Sequence, residues 1–382
     1  MTEVQTPIIP LVGDMVRSTP GAISLGQGVV SYGPPPSAIE AAAKAAHDHS
    51  SHLYGAVLGT EALREALAAK LLRENGIRIG AENAVVVTSG ANMGFLNAVL
   101  AVASPGDEVI LQTPYYFNHE MAIRMAGCTP VCVETDERHQ LRLGAIAVAM
   151  TPRTRAIVTV SPNNPTGALY PEADLRAVNE LCRAASIYHI HDEAYEYFTY
   201  GAGRPFAPGS IPGSASHTIE LFSLSKAYGF AGWRIGYMVI PEGLRAAVRK
   251  IQDTNLICPT MISQAAALAA LQVGEGYSRS MNKDLPAVRE IAVRAFAEIA
   301  DLCTAPTPEG AFYFFVRIRS ELDPLRLVER LVSEHGVAAI PGTAFGVAEG
   351  CSLRVAFGAL ETATAARGID RLVTGLKAIV GG

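Results

Sequence analysis

From about residue 84 the chain repeats one unit: a short apolar run of strand length, a turn, then a longer stretch with helical periodicity. Val85–Thr88 leads into a helix through Val102, Glu108–Gln112 into a helix over Asn118–Met125, and Pro130–Val133 follows. Arg155–Val160 is succeeded by a proline-rich turn, a helix from Pro171 to Ala185, and Tyr188–His191; Ile219–Ser223 and Trp233–Ile240 complete the set. Such alternation predicts an α/β fold, a mostly parallel sheet between helices, with ligands bound at the strand ends. Helical periodicity over Ile262–Val273 and Leu285–Ala300, then strands at Phe312–Ile318 and Ser352–Phe357, predict a second, smaller α+β lobe. The expected division is 1–45 for an N-terminal arm and the first part of the small domain, 46–275 for a large domain, and 276–382 for the small C-terminal domain. Prolines 7, 10, 20 and 34–36 make the first 35 residues read as an extended arm.

The same architecture explains an apolar composition. Mean hydropathy is +0.22, and Asn83–Gly106 runs 24 residues without a charge. Ser89, Gly90, Pro105 and Gly106 break that run into strand, turn and helix, so a membrane span is not expected. Parallel strands buried on both faces read as continuous apolar runs. With 31 basic and 36 acidic residues and no block of like charge, nucleic acid and anionic membrane surfaces are not expected partners. Six cysteines without a CxxC pair exclude a disulfide scaffold and zinc ribbons and fit a reducing, cytoplasmic setting; no secretory leader is expected at the N-terminus.

Several short stretches carry chemistry. Lys226 is one of only six lysines and the sole charge between Glu220 and Arg234. A lysine desolvated in that small-residue turn favours its neutral amine and Schiff-base chemistry, although a lysine snorkelling to water would look the same. Tyr188–Tyr195 runs a strand into Asp192 and Glu193, where a carboxylate could hold a ligand cation, cap the strand, or join His189 and His191 on a metal. Spacing favours none of these, and no metal is expected. Ser161–Gly167 sets Asn164 between two prolines, a stiff turn that aims an amide. Ser89–Asn92 joins strand to helix, where free N–H groups and the helix dipole accept phosphate. Neither GxGxxG nor GxxxxGK[ST] occurs.

Taken in order, Tyr54, Gly90-Ala91-Asn92, Tyr116, Asn164-Pro165, Asp192 with Tyr195, Ser223 with Lys226, Arg234 and Arg354 resemble the fold-type I pyridoxal-phosphate enzymes, and among them the class I/II aminotransferases. The resemblance covers the whole chain and is most specific in Ser-Pro-Asn-Asn-Pro-Thr-Gly (161–167), Ser-Leu-Ser-Lys with Gly-Trp-Arg-Ile-Gly-Tyr (223–237) and Ser-Leu-Arg-Val-Ala-Phe (352–357). Residues 26–30, 114–118, 195–198 and 250–253 look like the plant-type aromatic and methionine aminotransferase subgroup.

The resemblance implies pyridoxal 5'-phosphate as cofactor and a homodimer with shared active sites. It gives Lys226 the cofactor aldehyde and the proton transfer, Asp192 the pyridine nitrogen, and Asn164 and Tyr195 the phenolic oxygen. Tyr116 would stack on the ring. Gly90, Ala91, Asn92, Ser223 and Arg234 would take the phosphate, with Tyr54 reaching it from the second subunit. Arg354 would clamp the substrate α-carboxylate, helped by Asn164 and by backbone at Gly28. Val29-Val30-Ser31-Tyr32 departs from the commoner family form, and Tyr32 is expected to line the side-chain pocket.

No second cation for a distal carboxylate can be assigned, and Tyr32, Tyr116 and Phe345 suggest an apolar or aromatic pocket. The expected reaction moves the amino group of an aromatic amino acid or methionine to a 2-oxo acid. A carbon–sulfur β-lyase on the same scaffold is an alternative, because fold does not decide reaction. A nicotinamide oxidoreductase shares the two-lobed α/β outline but is disfavoured by the missing GxGxxG, and a non-catalytic binding protein is a third reading.

Overall fold

A computed structural model describes residues 1–2 and 4–381. Among the described residues thirteen strands form three sheets. In chain order they are β1 (Ile23–Ser24), β2 (Asn83–Thr88), β3 (Glu108–Thr113), β4 (Thr129–Glu134), β5 (Thr154–Val160), β6 (Tyr188–Asp192), β7 (Thr218–Ser223), β8 (Gly236–Pro241), β9 (Cys303–Thr304), β10 (Tyr313–Ile318), β11 (Val337–Ala338), β12 (Ile340–Pro341) and β13 (Cys351–Ala356). The main sheet has seven strands in the order β2-β8-β7-β6-β5-β3-β4. All are parallel except β8, which runs antiparallel to both its neighbours.

Strands β7 and β8 are buried at every position, as a sheet covered on both faces requires. The helix Ala91–Val102 covers one face, where its Phe95 clusters with Leu221 and Met238, while Phe222 and Tyr237 belong to the larger core on the other. Register then sets the site. Val160 pairs with Asp192, Asp192 with Leu221, and Gly236 with both Ser223 and Thr88. One end of the sheet therefore collects the carboxyl ends of β2, β5, β6 and β7 and the start of β8.

A four-stranded antiparallel sheet, β12-β13-β10-β9, forms the core of the smaller unit. Helices Leu285–Ala297, Pro324–His335 and Thr362–Val380 bury their apolar faces there. The N-terminal segment joins this unit through the parallel pairing of β1 with β11 and through the Ala356 N–H, which donates to the Leu25 carbonyl at 2.6 Å.

Two expectations need correction. The first 35 residues are not extended throughout: Ile8–Arg17 is a helix. Ile8, Ile9, Val12, Met15 and Val16 recur at helical spacing on its packed face, and Pro10 falls in the first turn, where a missing N–H costs no helical bond. The strand expected from Trp233 begins only at Gly236, because Ala231–Trp233 is a 3-10 turn and Arg234 adopts a left-handed conformation with φ of 52°. Among the described residues no helix is long and apolar enough to cross a membrane.

Candidate active site

At the collected strand ends lies a cavity of about 230 Å³. The structure brings to its wall Ala91, Asn92, Tyr116, Asn164, Asp192, Tyr195, Ser223, Lys226 and Arg234, all expected from sequence. Lys226 sits in the one-turn helix Leu224–Ala227, capped where Ser223 Oγ accepts from the Ser225 N–H at 3.1 Å. That bond uses Ser223 as an acceptor and leaves its O–H free to donate. Burial pushes the Lys226 amine down to about 8; Arg234 and Arg354 push the same way, against the pull of Asp192.

Asp192 is fully buried at the end of β6. Burial alone would raise its carboxyl, but His119, the Ala194 N–H and the Lys226 charge outweigh this and hold it below its ordinary value. His119 Nε2 stands 3.1 Å from Asp192 Oδ2, and the Ala194 N–H donates to Oδ1 at 2.9 Å. The imidazole is itself fixed by stacking on Phe95, with ring centroids 3.9 Å apart.

Across the cavity, Asn164 Nδ2 donates to the Tyr195 hydroxyl at 3.4 Å, and that hydroxyl lies 2.6 Å from Tyr313 Oη. Burial raises the Tyr195 phenol well above its ordinary value, so it remains a neutral donor. Asn118 donates to Tyr116 Oη at 2.8 Å, which donates in turn to Asn92 Oδ1 at 3.3 Å. Arg354 on β13 reaches this group from the smaller unit. Its Nη1 donates to Asn164 Oδ1 at 3.0 Å and its Nη2 to the Gly26 carbonyl at 2.7 Å. The guanidinium lies 4.7 Å from the Tyr313 ring centre and 5.0 Å from that of Phe345, and its buried Nε has no partner. A Cβ on Gly28 would fall 2.7 Å from Tyr313 Oη and 3.9 Å from Arg354 Nη1, so only glycine lets backbone approach here.

The opposite end is shaped for an anion. Gly90, with φ of 83°, precedes helix Ala91–Val102, and a Cβ there would strike the Arg234 guanidinium. A Cβ on Gly236 would lie 2.8 Å from the Phe222 carbonyl and 2.9 Å from the Ala91 nitrogen. The helix N-terminus, Arg234 and the Ser223 hydroxyl thus converge. An anion cradle, a desolvated lysine, two neutral donors and an ionised aspartate in one cavity fit the phosphate, aldehyde, phenolic oxygen and ring nitrogen of pyridoxal phosphate.

Two expected residues lie elsewhere. Tyr54 is 82% exposed and outside this cavity. Tyr32 does not line the wall: its hydroxyl donates to the Lys226 carbonyl at 2.7 Å and accepts from Asn282 at 3.1 Å, so it braces the lysine turn from behind. The set His189, His191 and Asp192 does not converge either, because Asp192 faces His119 whereas both histidines meet Thr159 Oγ1, at 2.7 and 2.6 Å. Sequence reasoning missed His119 and Tyr313. His119 stands one helical turn after Tyr116, a usable signal; Tyr313 lies in an apolar strand that gives none.

The chain is similar to known proteins along nearly its whole length. An aromatic aminotransferase of Arabidopsis thaliana is 33% identical over 98% of this chain and 94% of its own length. A probable aspartate/prephenate aminotransferase of Aquifex aeolicus is 34% identical over 94% of this chain and 90% of its own. The crystal structure of an aromatic aminotransferase from Pyrococcus horikoshii superposes with a TM-score of 0.88 at 31% identity, covering 96% of this chain and 99% of that one. The family model for aminotransferases of class I and II matches residues 20–372. With the lysine, the aspartate and the anion cradle in one cavity, and with this match along nearly the whole chain, the protein belongs to the class I and II aminotransferases, the pyridoxal-phosphate-dependent transaminases.

Proposed function

We propose that this aminotransferase moves the amino group of an aromatic amino acid or methionine to a 2-oxo acid. One observation carries the donor class: Arg354, the guanidinium suited to an α-carboxylate, is walled by the rings of Tyr313 and Phe345, and Phe345 in turn packs on Phe117 with centroids 5.6 Å apart. Val29 and Tyr116 add apolar surface to the cavity. The name of the Arabidopsis relative agrees with this reading, and that of the Aquifex relative makes dicarboxylates the rival.

Pyridoxal phosphate, when bound, supplies an aldehyde that exchanges amines and a ring that stores the electron pair left at the substrate Cα. The chain's own groups do the rest. Lys226, with an amine near 8, keeps a substantial neutral fraction at physiological pH and can take the Cα proton and return it. Asp192 would hold a proton on the ring nitrogen, Asn164 and Tyr195 would donate to the phenolic oxygen, and Tyr116 would pack against the ring. Gly90, Ala91, Asn92, Ser223 and Arg234 hold the phosphate. Arg354 and the backbone at Gly28 orient the carboxylate so that the Cα–H bond faces Lys226.

The reading includes a cytoplasmic homodimer with a large lobe at 46–275, a small lobe at 276–382 and residues 1–45 bridging to the latter. Leu53, Tyr54 and Ile257 are exposed apolar side chains brought together where the Gly55 N–H meets Cys258 Sγ at 3.3 Å, a patch suited to a second copy that would receive Tyr54. The test mixes holoenzyme with Met, Phe, Tyr, Trp, Asp or Glu and follows loss of the cofactor's visible band. Methionine and the aromatic donors should discharge it fastest; faster discharge by Asp or Glu overturns the donor class. Ammonia and pyruvate from a cysteine conjugate, without stoichiometric transfer to an oxo acid, would assign the β-lyase reaction. Sedimentation equilibrium giving a monomer would reject the shared site.

A further inference from the structure

Behind Asp192, on the other side of the sheet end, three buried side chains meet that no step above uses. His191 on β6 and Glu220 on β7 are register partners on adjacent parallel strands, and Glu193 follows Asp192 directly. Each is at most 1% exposed, and each offers a ligand atom within 4.8 Å of the other two. Each also keeps one polar atom without a hydrogen-bond partner: His191 Nε2, Glu193 Oε1 and Glu220 Oε2. Three orphaned atoms in one buried cluster form an unusual concentration, because buried polar groups are nearly always satisfied.

We propose that His191, Glu193 and Glu220 bind one divalent cation, with zinc the best match to an imidazole and two carboxylates.

The outer atom of each residue is already anchored by the protein, the support that ligating side chains require. His191 Nδ1 lies 2.6 Å from Thr159 Oγ1, Glu193 Oε2 accepts from Asn75 at 3.4 Å, and Glu220 Oε1 accepts from the Gly209 N–H. In the tautomer that donates from Nδ1 to Thr159, His191 presents an Nε2 lone pair inward. Lys70 acts on Glu193 only through its charge, since its direct bonds go to Glu196, Glu74 and Asn75 and not to the three inward atoms. Two carboxylates side by side and shut off from solvent need either a shared proton or a cation between them. The imidazole among them favours a cation, and a nitrogen with two oxygens suits zinc or manganese better than calcium. Access exists: Glu193 also lines a polar cleft of about 440 Å³ whose wall includes Asn75, Glu196 and Arg279. A cation there would tie the end of β6, which carries Asp192, to β7, which leads into Lys226.

The experiment strips purified holoenzyme with a chelator, titrates it with Zn²⁺ and separately with Co²⁺, and reads bound metal by elemental analysis and by the Co²⁺ absorption bands. One equivalent per chain is expected in the wild type, with a rise in Tm. That equivalent should be lost in Glu220→Gln and kept when the exposed pair is changed in His49→Ala/His52→Ala. No stoichiometric uptake by the wild type would mean that the carboxyls share a proton instead, and it overturns the proposal whether or not the variants fold. Uptake retained by Glu220→Gln, or lost with His49 and His52, overturns it too.

Discussion

His119 Nε2 and Asp192 Oδ2 lie 3.1 Å apart, both side chains closed off from solvent. His119 thereby fixes the aspartate proposed above to pair with the cofactor's ring nitrogen. A hydrogen bond to a charged group contributes about 1.5–3 kcal/mol, so His119→Asn should lower kcat by roughly 10- to 100-fold while the protein still binds pyridoxal phosphate. Steady-state rates beside a spectral cofactor titration would check this, and an unchanged kcat would remove His119 from the site's support.

Lys226 gives a sign-definite pH effect. Its amine falls from 10.5 when free to about 8 when folded, so the unfolded chain binds more protons between those values. Stability of the cofactor-free protein should therefore rise with pH across that window, and burial of the ammonium carries its full cost below pH 8. Lys226→Met removes that cost and should stabilise the cofactor-free form by about 2–3 kcal/mol at pH 7. Urea unfolding at pH 7 and pH 10 would show it, with the gain shrinking at the higher pH.

Arg354→Lys keeps the charge but loses the fork that meets Asn164, Gly26 and a carboxylate together. A loss of about 3 kcal/mol corresponds to roughly 100-fold in kcat/KM. Because every amino acid carries the α-carboxylate, the drop should be similar for all donors. A drop confined to one donor class would place Arg354 at the side chain instead.

Gly236 separates backbone from backbone. In Gly236→Ala the new methyl would press on the Phe222 carbonyl and the Ala91 nitrogen, pushing the start of β8 away from the helix proposed to hold the phosphate. Overpacking of this kind costs about 1–3 kcal/mol, so cofactor affinity should fall at least tenfold and Tm should drop. Gly80→Ala, with nothing within 4 Å of the added atom, is the matched control and should leave both unchanged.

The main sheet was legible because most of its strands are apolar runs bounded by turn residues, and the candidate site was legible because its motifs sit at those turns. What escaped was set by contacts between distant segments. Nothing in Ile8–Arg17 says that β11 and the helix Pro324–His335 will cover its apolar face. Tyr32 reads as a pocket aromatic until its hydroxyl is found on the Lys226 carbonyl. Spacing alone does not say what His189 and His191 do; the fold puts Thr159 between them and brings Glu220 to His191.

The bond from Arg354 to the Gly26 carbonyl joins residues 328 positions apart. On the ribosome, β1 emerges early but cannot pair until Val337–Ala338 has followed. The seven-stranded sheet, whose last strand ends at Pro241, can close long before that. A nascent chain would thus own its phosphate cradle and lysine well ahead of its carboxylate clamp, and could be loaded with cofactor before it is able to select a substrate.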